Sequence, residues 1–155
     1  LFVSDDARGR IYRITYRGGG DGSLADAGVP CPAASMPVTA RPAMTVDSRT
    51  LSVPQGATRE TVERGARLYR GEEGGAGCVG CHGATGGGSP LGPNLTDRQW
   101  LWSDGSVAGI RRTIEQGVAA PRQYRSPMPA LGGGTLDDAQ LSALSAFVWG
   151  LSHPR

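Results

Sequence analysis

Apolar residues recur at helical spacing in three places in the second half of the chain. Val62, Ala66 and Tyr69 follow Thr58 at i, i+4 and i+7, Thr58 is of a type that caps helix N-termini, and Gly71 ends the run. Ser106 opens a second stretch in which Val107, Ile110 and Ile114 share a face and Gly117 is the stop. The third is the most apolar: Thr135-Leu-Asp-Asp138 reads as a capping box ahead of Leu141, Leu144, Phe147, Val148 and Leu151. The pattern predicts an all-α unit over residues 58–155, with these apolar positions in its core.

The first half reads differently. In residues 1–17, Phe2 and Val3 form a short strand, Ala7 to Gly9 a turn, and Ile11, Tyr12, Ile14, Thr15 and Tyr16 a β-branched and aromatic second strand. A two-stranded hairpin alone is marginal in water, so this one is expected to pair with something further. Residues 18–57 carry three consecutive glycines, prolines at 30, 32, 37, 42 and 54, and almost no periodicity, which reads as a linker or wrapping arm.

Composition sharpens this picture. The chain has 25 Gly and 11 Pro among 155 residues, just short of the roughly 25–30% that marks low-complexity chains. Only 38% of residues are hydrophobic, so a bulky apolar cofactor serving as part of the core would reconcile the count with a folded unit. No apolar run approaches the roughly 20 residues needed to span a bilayer. Net charge is +2, and all 16 basic residues are scattered arginines, which is no nucleic-acid footprint.

The chemistry lies in Cys78-Val79-Gly80-Cys81-His82, the pattern of c-type haem attachment. Thiols three residues apart project to one side of a helical turn and can both form thioethers with the vinyl groups of one porphyrin. His82 is then aimed at the iron. A zinc site needs about four ligands, and outside the motif only Cys31 and His153 are of the preferred types. A thioredoxin-like dithiol would want a βαβ setting, where this motif has helices on both sides. A low-spin electron-transfer iron takes a second ligand, and Met raises its potential. Met36 and Met44 sit in the Pro-rich arm. Met128 sits in Ser126-Pro127-Met128-Pro129-Ala130, where two prolines stiffen the loop that would present it, and is the expected ligand.

On these features residues 58–155 resemble a class I cytochrome c. The matching residues are the Gly65 and Tyr69 helix, the Cys78 to His82 motif, Gly92-Pro93-Asn94-Leu95, the Met128 loop and the aromatic last helix. The resemblance implies three to five helices around one covalent haem c, with the first and last crossing closely at Gly65 near Phe147 or Val148. It implies that the Pro93 carbonyl accepts a hydrogen bond from His82 Nδ1, which orients the imidazole and raises its basicity. It also makes Trp100, Trp102, Tyr124 and Arg125 candidates for binding the haem propionates or covering the haem edge. The implied function is electron transfer, with iron held by His82 and Met128 and no position left for a substrate. An open distal site, as in a peroxidase, and a structural zinc module are the competing readings. With 10 Arg and 9 acidic residues in 58–155 and no Lys anywhere, partner docking is not expected to depend on a strong long-range field.

Residues 3–14 are similar to the closing blade segment of PQQ-dependent aldose and sorbosone dehydrogenase-like propellers. That resemblance implies a PQQ dehydrogenase as electron donor, with the arm as a tether that raises the effective concentration of haem near the quinone, and a downstream cytochrome or oxidase as acceptor. The propeller's own cofactor residues are not in this chain. Cys31, between Pro30 and Pro32, is the cysteine left over after haem attachment. The expected compartment is the bacterial periplasm.

Overall fold

A computed structural model describes residues 2–5, 10–13 and 45–155. The backbone of β1 (Phe2–Asp5) pairs antiparallel with β2 (Arg10–Arg13), Phe2 opposite Arg13 and Asp5 opposite Arg10. The turn expected at 7–9, the strand residues beyond Arg13 and most of the Pro-rich arm lie outside the described residues.

Residues 45–155 hold four α-helices: α1 (Arg59–Tyr69), α2 (Cys78–His82), α3 (Val107–Gln116) and α4 (Asp138–Leu151). Each of the three longer ones begins on a side-chain cap that satisfies amide groups the helix itself leaves unpaired. Thr58 Oγ1 accepts from Thr61 N at 3.2 Å, and Ser106 Oγ accepts from Gly109 N at 2.9 Å. In α4 the capping box lies two residues later than the sequence suggests. Asp137 Oδ1 accepts from Gln140 N at 2.7 Å, and Gln140 Oε1 accepts from Asp137 N at 2.9 Å. Thr135 lies outside the helix, its amide donating to Gly74 O at 3.0 Å.

The core forms where α4 packs between α1 and α3. Val62, Ala66, Leu68 and Tyr69 of α1, Ile110 and Ile114 of α3, and Leu141, Leu144, Phe147, Val148 and Leu151 of α4 are all buried, whereas Val107 is half-buried. Tyr69 and Phe147 meet with ring centroids 5.3 Å apart and planes tilted by 54°. A Cβ built on Gly65 would overlap the Ala143 carbonyl and stand 2.6 Å from Phe147 Cβ, so α1 and α4 approach as closely as only glycine permits.

The unit also includes residues ahead of Thr58. Leu51 is buried, Arg59 donates to the carbonyls of Ser48 and Leu51 at 2.7 and 2.9 Å, and Ser52 N donates to His153 O at 2.9 Å. The end of the arm is therefore clasped between α1 and the C-terminal residues. Among the described residues, no helix is long and apolar enough to cross a membrane. The helical arrangement agrees with a class I cytochrome c fold.

Candidate functional site

The five residues of the cysteine motif are themselves the helix α2. Gly83 ends it at φ +78°, its amide donating to Val79 O at 2.9 Å. Cys78 and Cys81 are free and half-buried, and both line one cleft together with His82. Burial pushes the Cys78 thiol up to about 11, which keeps it protonated at neutral pH. His82 is buried, and desolvation holds its imidazole below the ordinary histidine range against the opposing pull of the Pro93 hydrogen bond. It is therefore neutral at pH 7, the state in which imidazole binds a metal.

The glycine loop that follows doubles back over this helix. Gly88 N donates to His82 O at 2.9 Å, Ser89 Oγ to Cys81 O at 2.6 Å, and Leu95 N to Gly86 O at 2.7 Å. These contacts bring the Pro93 carbonyl to 3.0 Å from His82 Nδ1. A carbonyl only accepts, so Nδ1 carries the proton and Nε2 presents its lone pair. Two glycines make the path possible. A Cβ on Gly92 would stand 3.0 Å from Cys81 O, and one on Gly88, at φ +84°, would stand 2.7 Å from Asn94 N. Gly88→Ala, with both a left-handed backbone and no room, is expected to cost about 1–3 kcal/mol. The urea midpoint followed by far-UV circular dichroism measures this, and an unchanged midpoint contradicts it.

The cleft has a cavity volume of about 150 Å³ and opens to solvent. Met128 lines it, half-buried, with its backbone paired to Val118: Val118 N donates to Met128 O at 2.8 Å and Met128 N to Val118 O at 3.0 Å. The donor set along the cleft is two thiols, one neutral imidazole and one thioether, on walls formed largely by apolar residues. That set fits a flat apolar macrocycle carrying iron and anchored through sulfur.

Trp100, Trp102 and Tyr124 also line the cleft, and Arg125 is not among its lining residues. The Trp100 ring lies directly over Gly105, whose Cβ would stand 2.6 Å from Trp100 Nε1. His153 is elsewhere, stacked on Trp149 with centroids 3.8 Å apart and donating to Trp149 O at 2.9 Å. Met36, Met44 and Cys31 lie outside the described residues. Sequence reasoning missed that Ile110, Ile114, Leu144 and Val148, assigned only to the core, also form the cleft wall. It also missed Leu91 and Leu101, exposed residues at the same cleft. Helical periodicity marks an inward face and carries no sign of whether protein or cofactor fills the space opposite.

A helical unit with a Cys-x-x-Cys-His helix in the wall of an apolar cleft defines a c-type cytochrome domain, a haem c protein of electron transfer. The model of the family described as cytochrome C oxidase, cbb3-type, subunit III matches residues 60–148, and the chain belongs to this family. It is 38% identical over 79 residues to the cbb3-type cytochrome c oxidase subunit FixP of Rhizobium etli, a match covering 49% of this chain and 27% of that protein. Subunit FixPc of Rhizobium leguminosarum bv. viciae is 37% identical over 79 residues, covering 49% and 27%. Subunit CcoP of Azospirillum brasilense is 43% identical over 56 residues, covering 36% and 17%. The chain thus matches about a quarter or less of the length of these relatives. No solved structure gives a significant match. The matched segment begins after the N-terminal strands and lends nothing to their resemblance to a dehydrogenase propeller.

Proposed function

We propose that residues 45–155 carry one haem c, joined to Cys78 and Cys81 and ligated by His82 and Met128, and pass electrons within or to a cbb3-type oxidase on the periplasmic side of a membrane. The observation that carries this reading is the hydrogen bond from His82 Nδ1 to the Pro93 carbonyl, which leaves Nε2 free in a cleft shared with both thiols and Met128. The haem, when bound, supplies the one-electron iron couple. The chain's residues hold it: thiols anchor, Pro93 fixes the imidazole, and the apolar walls exclude water, which favours the less charged state of the iron. Trp100, Trp102 and Tyr124 line the same cleft, which supports reading them as contacts to the haem edge or its propionates. Arg125, outside the cleft lining, has a weaker claim to that role.

An acceptor of oxidase type follows from what the relatives are named. A PQQ-dependent dehydrogenase as donor rests on the N-terminal residues alone, and an in-frame propeller upstream of Leu1 is the observation that would support it. A zinc module is disfavoured because no group of three or more His, Cys, Asp or Glu side chains converges among the described residues. An open peroxidase-like site is disfavoured by Met128 in the cleft wall.

The pyridine haemochrome spectrum of protein matured with c-type assembly machinery tests the reading. A spectrum with both vinyl groups saturated, and one haem per chain, is expected. A free-vinyl spectrum, or no haem, overturns it.

A further inference from the structure

We infer that Gly117, at the end of α3, is the positioning residue that sets where the Met128 thioether stands in the cleft. This rests on the reading of Met128 as the second axial ligand. Gly117 is the C-cap of α3, its amide donating to Thr113 O at 2.9 Å, and it turns the chain at φ +68° and ψ −172°. The next residue is Val118, whose amide and carbonyl make the two-way pairing with Met128 at 2.8 and 3.0 Å. The Met128 segment lies so close on Gly117 that a Cβ there would overlap Met128 O and stand 2.7 Å from Ala130 N and 2.8 Å from Pro129 C.

These neighbours are backbone atoms, which cannot swing aside as a side chain does. Nor can the loop retreat downstream. Gly132 O accepts from Gly77 N at 2.9 Å and Thr135 N donates to Gly74 O at 3.0 Å, so the far end of the Met128 segment is laced to the loop that leads into Cys78. Upstream, α3 is held at the rim, where Thr113 Oγ1 donates to Trp102 O at 2.9 Å, and in the core by Ile110 and Ile114. A methyl group at 117 therefore displaces the one segment that both ends confine, and the segment carries Met128. The flanking prolines stiffen this loop, but its distance from α3 is set by the absence of a side chain at 117.

The experiment compares haem-loaded Gly117→Ala, Gly117→Asn, Gly56→Ala and Met128→Ala by the near-infrared sulfur-to-iron band, the reduction potential and the pH at which the band is lost. Gly56 is the control, at φ +83° with nothing within 4 Å of where a Cβ would stand, so its alanine variant has the backbone strain without the contact. At φ +68° and ψ −172° the Gly117 backbone lies in a region that is essentially glycine-only, so alanine and asparagine both add strain as well as a Cβ. Both Gly117 variants are expected to lose at least half of the band and to shift its pH of loss downward, while Gly56→Ala retains it. A full band in Gly117→Ala, with the band gone in Met128→Ala, overturns the inference and leaves the ligand reading intact. A full band in Met128→Ala overturns the ligand reading itself. If Gly117→Ala does not fold, Val118→Pro carries the test. It deletes the Val118 hydrogen bond to Met128, and the extended ψ of Gly117 accepts a following proline. Its band is expected to fall, and an unchanged band overturns the inference.

Discussion

Met128→Ala is expected to abolish the near-infrared sulfur-to-iron band and to lower the reduction potential by about 0.1 V or more, within the roughly 0.8 V range that axial ligands set. The physical reason is that a thioether favours the reduced iron, whereas the water or hydroxide that would enter the vacated space favours the oxidised one. The loss should be specific to the ligand. Met128 is half-buried at the cleft and its backbone pairing with Val118 does not involve its side chain, so the far-ultraviolet spectrum should stay unchanged. Carbon monoxide should bind the reduced variant rapidly where the wild type binds it slowly. If the band survives, the ligand lies elsewhere, and Met36 and Met44 are the remaining methionines.

Gly65→Val is expected to destabilise the unit by about 3 kcal/mol, at the upper end of ordinary overpacking. The first atom added at 65 already overlaps the Ala143 carbonyl and comes within 2.6 Å of Phe147 Cβ. Two branching methyl groups then have no free direction, and α1 and α4 must separate. At roughly 4–8 °C per kcal/mol for a unit of this size, the melting midpoint should fall by more than 10 °C. The consequence reaches the cleft, because Tyr69, Leu144 and Val148 on these two helices line it. Calorimetry of the haem-loaded protein reads the effect, and a midpoint within 3 °C of wild type contradicts the close-crossing account.

Much of this was legible in the chain because it is local. The three longer helices follow from apolar spacing and polar caps, each settled within about four residues by hydrogen bonds the backbone needs regardless of what surrounds it. The Cys78 to His82 motif is legible for the same reason: two thiols and an imidazole share one short helix, and their spacing alone puts them on one side of it. Pro93 was reached only by resemblance, since ten residues of glycine-rich loop separate it from His82, and no local rule says where such a loop returns. The displaced cap of α4 has a similar cause. Thr135 and Asp137 are both good caps by type; in the fold the Thr135 amide joins the Gly74 loop, and Asp137 is the residue whose side chain meets the Gln140 amide.

What the sequence by itself determined was the identity of the donors: which sulfurs and which imidazole are available, and that the chain holds a single attachment motif. Only the tertiary structure decided how they face one another. The Met128 loop is placed by a backbone pairing with Val118 and by the empty side of Gly117, contacts between residues ten or more apart that leave no periodicity behind. The same holds for Ile110, Ile114, Leu144 and Val148, whose inward faces are written in the pattern while the cleft they share with α2 is not. A spacing rule reports which way a side chain points from its own helix. What stands opposite it depends on where the other helices come to rest, and here that is governed by glycines at 65, 88 and 117, where backbones meet at distances no side chain would allow.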